Sequence, residues 1–474
     1  MSRTISELPG PQGLPLIGSA HRLLPPSRAH LSFERWGRRY GPIYRVGVGA
    51  RRFVVVDDGE AIGEILRDRP DGYRRASDLR RVLEEMSAAG PDAGRIDPGV
   101  FIAEGDDWRR QRRLVVSALN VNHLHRYFEV VRVSAERLRR RLLEAAEEER
   151  PLAILELLTS FTVDVTAALA VGEDLNTLER GDAELQENID TVMSMISRRL
   201  TVPVPYWRWF RLPADRALDR ALASIYRDIE GFVERAKARL EAEPERYEEP
   251  RNLLEGLLAE QWRDESFSDE EVLYNVVMVL LAGEDTTALT LGWTLWLLSS
   301  RPDLQDRLAA EAAAVLGETA VAAEHRVLDR LPYTEAVLRE AMRLKSVGPL
   351  MVVEANEPKT VCGTRIPQGT QLVLLVRQAA RRAAGRSDEF YPERWLEDRD
   401  ATRAPKSLTF GAGPRFCPGR NLAFLEAKTV LSMIFREFRL DLDRSAGPVR
   451  EAFGFNMSPQ GLRISVSRRS GAHT

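Results

Sequence analysis

The segment from Ser268 to Pro302 constrains the fold more than any other part of the chain. Ser268 with Glu271 makes a capping box, apolar residues follow, and Pro302 stops the run. A helix of about 31 residues is predicted, roughly 46 Å long at 1.5 Å per residue. A helix of that length crosses a whole domain, so the remaining elements must be arranged around it. Its middle breaks the local rules. Ala282-Gly283-Glu284-Asp285-Thr286-Thr287 sets a glycine and a run of polar groups inside an otherwise apolar helix, and the glycine alone costs about 1 kcal/mol against alanine. The Thr286 hydroxyl can bond back to the Ala282 carbonyl, loosening the turn so that dioxygen or water fits the groove. Asp285 points about 100° around the helix from it, toward a water path. The other reading of the same residues is a polar seam buried between helices.

A second stretch, FGAGPRFCPGR from Phe410 to Arg420, gives Cys417 the setting of a metal-bound thiolate. Pro418 suits the first position of a helix, which places Cys417 at the N-cap ahead of the periodic residues Leu422, Ala423, Leu425, Val430 and Leu431. The sulfur is then predicted to face the positive helix end. Amides of Gly419 and Arg420 reach it and lower the thiol pKa toward the anion that ligates iron. Gly411 and Gly413 let the backbone pass close to a flat cofactor. Taken alone, a cysteine in such a place is more commonly a small buried residue.

Other segments carry weaker signals. In WRRQRR, Trp108 and Arg112 are four apart and share a helix face, where an indole N–H and a guanidinium can reach one anion. A solvated basic face is the rival reading. Arg109, Arg110 and Arg113 point elsewhere, as a docking surface for an acidic electron donor or as a plain solvated stripe. Glu340 and Arg343 lie beside Ala336, Val337, Ala341, Leu344 and Val347, so this i, i+3 pair is expected to be buried and to need further partners. His123 and His125, two apart, fall on different helix faces and do not suggest a ligand pair. Tyr206, Trp207, Trp209 and Phe210 read either as lid packing or as a surface patch.

With 474 residues, 44% of them hydrophobic and 29% charged, the chain can bury a large core. Helical periodicity dominates, most plainly from about residue 122 to 262. A short helix at 28–39, strands Ile43–Val48 and Arg52–Val56, a Gly/Pro-rich loop from Ala88 to Gly105, a helix from near Asp106 and another at 332–345 complete the coarse map. One unit over residues 1–474 is expected, mainly α with a small β lobe, behind a Pro-rich lead at 1–27. A net charge of −3 excludes the broad basic surface that nucleic acid requires. Cys362 and Cys417 are the only cysteines, and both are expected to be free, as in a reducing cytosol. Cys362 lies in a turn with no helix end to activate it. The longest uninterrupted apolar run, Val276–Ala282, is too short to span a bilayer, so no membrane span is expected, and a peripheral contact through Leu14, Leu16 and Ile17 stays open.

Four motifs occur in order: W-x-x-x-R at Trp108 and Arg112, A-G-x-D-T-T from Ala282, E-x-x-R at Glu340 and Arg343 with P-E-R-W ending at Trp395, and F-G-x-G-x-R-x-C-x-G from Phe410 to Gly419. Together they resemble the cytochrome P450 family of haem-thiolate monooxygenases, over roughly residues 9 to 469. The resemblance implies a triangular helical prism enclosing haem b, with O2 as co-substrate. Cys417 is then the axial iron ligand. Trp108, Arg112 and Arg415 hold haem propionates, Phe410, Ala282 and Gly419 border the ring, and Asp285 with Thr286 relays protons to the dioxygen. Arg394 joins Glu340 and Arg343 in a trio that serves folding and cofactor retention. The resemblance further implies that one oxygen atom enters a hydrophobic small molecule by hydroxylation or epoxidation. Electrons come from a ferredoxin or flavodoxin with its reductase, in a soluble, cytoplasmic, bacterial-type enzyme of secondary or lipid metabolism. An isomerase or dehydratase acting on a peroxide without external electrons, and a haem-binding sensor without turnover, are the alternatives; Asp285 and Thr286 speak against both. The loop from Ala88 to Gly105, together with Gly348, Pro349, Leu350, Phe453, Phe455 and Met457, is implied to line the substrate pocket. Two departures stand out. Ser346 replaces a proline common in the family, and the base often found before the first strand is absent from Met351-Val352-Val353-Glu354. That absence leaves one propionate short of a partner and requires Glu354 to pair elsewhere.

Overall fold

The central helix runs Asp269–Leu298 in the computed structural model, 30 residues long. Its box is closed as the sequence requires: the Glu271 amide donates to Ser268 Oγ at 3.1 Å and the Ser268 amide to Glu271 Oε2 at 3.0 Å. The structure describes residues 3–87, 99–119, 121–181, 184–202, 204–264, 268–383, 388–397 and 408–469. Among these, two apolar clusters meet on the central helix. Val272, Val276, Val277 and Leu280 face a cluster built with the helices Glu184–Thr201, Pro213–Ala242 and Leu253–Asp264. Ala288, Leu291, Leu295 and Leu298 face a second, built with Val121–Glu147, Pro302–Leu316, Pro332–Leu344 and Arg420–Glu437. The polar run 282–287 falls between the two cores.

The helix Ile154–Val171 packs along the central one, and this contact explains Gly283. A Cβ there would stand 2.8 Å from Thr166 Oγ1, and next to it Thr162 Oγ1 donates to the Glu284 carbonyl at 2.8 Å. The glycine thus permits a close helix approach, and the backbone stays helical across it; the loosened turn expected at Thr286 does not interrupt the helix. Both partners are long and apolar enough by composition to cross a membrane, yet 72% of the apolar window of Ile154–Val171 is buried inside the fold. Its apolar run is interrupted by Glu156, Thr159, Ser160, Thr162, Asp164 and Thr166. Asp164 is buried and satisfied locally, accepting from the Thr177 amide at 2.7 Å and its hydroxyl at 2.9 Å.

The β lobe is a five-stranded sheet in the order Ile43–Val48, Arg51–Val56, Gln371–Leu374, Met351–Ala355, Tyr73–Arg75. The first two form the expected hairpin, turning at Gly49 (φ +59°), and the last pair antiparallel with Arg75 opposite Val353. The other mapped helices appear as Ala29–Tyr40, Gly105–Ala118 and Pro332–Leu344. Most of the Gly/Pro-rich loop (88–98) and the turn residue Pro203 lie outside the described residues, as do the side chains of His123 and His125. In the aromatic cluster Trp207 is buried and donates to Glu85 at 2.7 Å, while Trp209 and Phe210 are exposed at the surface.

Candidate active site

The half-buried Cys417 lies two residues ahead of the N-cap, which is Gly419; the helix runs Arg420–Glu437. The expected N-cap position is therefore corrected, because Pro418 and Gly419 form a turn before the helix begins. The amides of Gly419 and Arg420 do bond the sulfur, but the net shift is opposite to the one expected. Burial pushes the thiol pKa up, and the two amides with the nearby Arg112 charge offset only part of it. The two amides and Arg112 leave the thiolate only partly stabilised, and a bound metal cation would supply the remaining positive charge. The loop is closed by the Cys417 amide on the Phe410 carbonyl at 2.8 Å. Phe410 stands against Phe424 at 5.7 Å between ring centres. Gly411 (φ +74°) has nothing closer than 3.8 Å to its missing Cβ, as close passage of a flat group requires. Gly413 (φ +68°) has a different reason: its Cβ would stand 2.5 Å from Arg67 Cα, so it seats the loop on the helix Gly59–Arg67.

Trp108 and Arg112 are each directed at the cysteine loop, though not at one shared group. The buried Trp108 ring lies 4.6 Å from the Arg415 guanidinium, while Arg112 donates to the Phe416 carbonyl and covers the Phe416 ring at 5.0 Å. Arg415 donates to the Ala103 carbonyl and to Glu104, both at 2.6 Å, and its Nε has no partner among the described residues. Burial pulls its pKa down to about 10. Two arginines that the motifs do not include, Arg69 and Arg75, share this charge cluster: burial lowers the pKa of Arg69, Arg75 and Arg415 alike, and Arg69 repels both Arg75 and Arg415. No local spacing announces them, since strand pairing and a turn bring them in. On the outer face, Arg109 pairs with Asp71 and Asp106 at 2.7 Å, and Arg110 pairs with Glu271. Arg113 is exposed, beside a groove of about 820 Å³ that Trp108, Arg112, Val116, Pro414 and Phe416 also line.

On the central helix Thr286 Oγ1 donates to the Ala282 carbonyl at 3.0 Å, and Ala282, though mid-helix, is exposed. Burial raises the Asp285 pKa, while a bond to the Asn456 side chain opposes the rise. Thr287 bonds Glu426 of the cysteine helix, linking the two motifs; burial pushes Glu426 up to about 8. Glu284 is 1% exposed, neither carboxylate oxygen has a partner among the described residues, and burial followed by repulsion from Asp285 and Asp190 pushes it to about 9. The sequence marks Glu284 only as one more polar fault. Glu426 and Asn456 carry no sequence signal.

Behind the loop the trio is assembled. Arg343 donates to both Glu340 oxygens at 2.9 and 2.8 Å, Arg394 Nε reaches the same carboxylate at 3.0 Å, and the Tyr391 amide and Trp395 indole complete it. Glu354 pairs with Arg74 and accepts from the Ser77 amide at 3.1 Å, so it turns away from the cluster. Ser346 donates to the Gly348 carbonyl at 3.2 Å. Of the residues expected along the pocket, Met457 is instead fully buried, with Arg377 on its sulfur at 3.0 Å, and Phe453 packs on His30. Phe455 faces Phe101 at 6.3 Å.

A flat, dianionic, iron-bearing ring fits these groups. One sulfur is presented beside an open glycine, Ala282 offers small apolar surface, and buried guanidinium nitrogens of Arg69 and Arg415 stand without partners among the described residues. The model of the cytochrome P450 family matches residues 8–466. Similar proteins include the chloroplastic LUTEIN DEFICIENT 5 of Arabidopsis thaliana, 25% identical over 91% of this chain and 73% of its own length. The mitochondrial 25-hydroxyvitamin D-1 alpha hydroxylase of Mus musculus is 28% identical over 94% of this chain and 89% of its own. The chloroplastic carotene epsilon-monooxygenase of Arabidopsis thaliana is 27% identical over 87% and 77% respectively.

Proposed function

The chain belongs to the cytochrome P450 family, and from that membership we propose that this monooxygenase inserts one oxygen atom of O2 into a hydrophobic small molecule by hydroxylation or epoxidation. Haem b, held through Cys417, supplies the activation of dioxygen. Trp108, Arg112 and Arg415 position its propionate edge, while Phe410, Gly419 and Ala282 leave room for its ring. Burial keeps Asp285 a proton donor at higher pH than an exposed carboxyl, and Asn456 holds it in place. Thr286 presents a hydroxyl anchored on the Ala282 carbonyl. That anchored hydroxyl, on exposed helix surface between the two cores, is the observation that carries the proposal.

The groove beside Arg112 and Arg113 suits an acidic one-electron donor, a ferredoxin or flavodoxin with its reductase. Two unpaired cysteines favour a reducing compartment. The balance requires that O2, two electrons, two protons and substrate give oxygenated product and one water. NADPH and O2 consumption should therefore match product formation when a surrogate ferredoxin and reductase are supplied with a panel of apolar compounds. Thr286→Ala is expected to lower product per NADPH by about 100-fold or more, the low end of the range for losing a positioned proton donor. Parent-like coupling in that variant contradicts the role of Thr286. Turnover of a peroxide without electrons would instead mark an isomerase or dehydratase.

A further inference from the structure

The Met351–Ala355 strand lacks the base that would balance one propionate, but its neighbour in the sheet does not. Arg75 ends the strand Tyr73–Arg75 and stands directly opposite Val353 in the antiparallel register. Arg69, at the other end of the connection from the helix Gly59–Arg67, is 3% exposed. One of its terminal nitrogens rests on Met351 Sδ at 3.5 Å, a weak acceptor, and its Nε and Nη2 have no partner among the described residues. A buried guanidinium so poorly paired is expensive unless an anion completes it.

Arg75 and Arg415 converge on the same turn. Arg75 donates to the Phe101 carbonyl, lies 3.6 Å from the Phe101 ring, and offers its amide to Glu104 Oε1 at 3.0 Å; Arg415 takes Glu104 Oε2 and the Ala103 carbonyl. Glu104 is thus one carboxylate serving a cluster of guanidiniums that also includes Arg69 and Arg112. The cluster is short of negative charge by more than one unit. We propose that Arg69 and Arg75 are the cationic partners of one haem propionate, taking over from the neighbouring strand and its approach the place of the base missing near Val353. The inference rests on the haem reading of the site. It adds to that reading that the cofactor's charge is balanced from the Tyr73–Arg75 strand, with Glu104 sharing Arg415 between protein and cofactor.

The test is haem transfer from the purified holoprotein to excess apomyoglobin, followed by the Soret band. Parent, Arg69→Met, Arg75→Gln and Arg69→Lys are each loaded with haem and, separately, with haem whose two propionates are methyl esters. Arg69→Met and Arg75→Gln should release ordinary haem about 10- to 100-fold faster than the parent, the factor expected for losing a hydrogen bond to a charged group. Arg69→Lys should stay near the parent, and the ester should leave all four proteins at similar rates. Equal acceleration for haem and its ester would make these arginines packing elements and overturn the proposal. Unchanged release of ordinary haem would overturn it too. A parent that takes up no haem at all would instead remove the reading beneath it. If Arg75→Gln fails to fold, the Arg69→Met and Arg69→Lys pair decides alone.

Discussion

Glu284 is a carboxyl enclosed in the longest helix with no partner among the described residues, beside Asp285 and Asp190. Its pKa of about 9 in the fold lies far above the 4.5 of a free glutamate, and the sign of the linkage follows. Below pH 4.5 both states hold the proton and nothing is gained. Between there and pH 9 the unfolded chain releases a proton that the fold keeps, so stability falls as pH rises, by about 1.4 kcal/mol per unit and about 3 kcal/mol by pH 7. Glu426 (about 8) and Asp57 (about 7) act in the same sense. Glu284→Gln should therefore flatten, without abolishing, the fall of the thermal midpoint between pH 5 and 8. Superimposable pH profiles for parent and variant would show that Glu284 ionises freely. At this scale the sequence reveals residues whose chemistry needs a local spacing: Cys417 in its loop, and Asp285 with Thr286 on consecutive positions. It hides Arg69, Arg75, Glu104 and Asn456, which reach the site only through a strand register, a turn between helices and a distant hairpin. The direction of the Cys417 shift was also hidden, because amide donors are local while desolvation is set by everything packed around the sulfur.

Elements were legible where their ends are marked. Ser268, Glu271 and Pro302 bound the central helix to within a few residues, and Gly49 marks the hairpin. Which element lies against which was not legible: Gly283 looked like a functional fault and is the contact point for Thr166. Gly413 makes the same kind of argument testable. Its positive φ alone costs an alanine about 1–2 kcal/mol, and a Cβ would also press on the backbone of Arg67 at 2.5 Å. Gly447 has φ +84° and nothing within 4 Å, so alanine there meets only the backbone cost. Gly413→Ala should lower both the thermal midpoint and the haem bound per protein, and Gly447→Ala should lower the midpoint slightly with haem content unchanged. Equal effects at both positions would mean that the loop is not seated on the Gly59–Arg67 helix.

Across the whole molecule, buried ion pairs tie together elements far apart in the sequence. Arg377 reaches Glu34 at 2.7 Å and Glu451 at 3.1 Å, His30 and Lys345 share Glu451, and Glu340 binds Arg343 and Arg394. The trio was legible from E-x-x-R and P-E-R-W, whereas the Arg377 network, spread from residue 30 to 451, was not. The space between the polar middle of the central helix and the loop of Cys417 lies where the two apolar cores meet. The central claim is that this space holds haem through a thiolate. Reduction of the purified, haem-loaded protein under carbon monoxide tests it most directly. The Soret band should move to the far-red position given by an anionic sulfur ligand, and Cys417→Ser should abolish that band while leaving the fold intact by circular dichroism; a band at the position of histidine-ligated globins, or one unchanged in Cys417→Ser, would contradict the account.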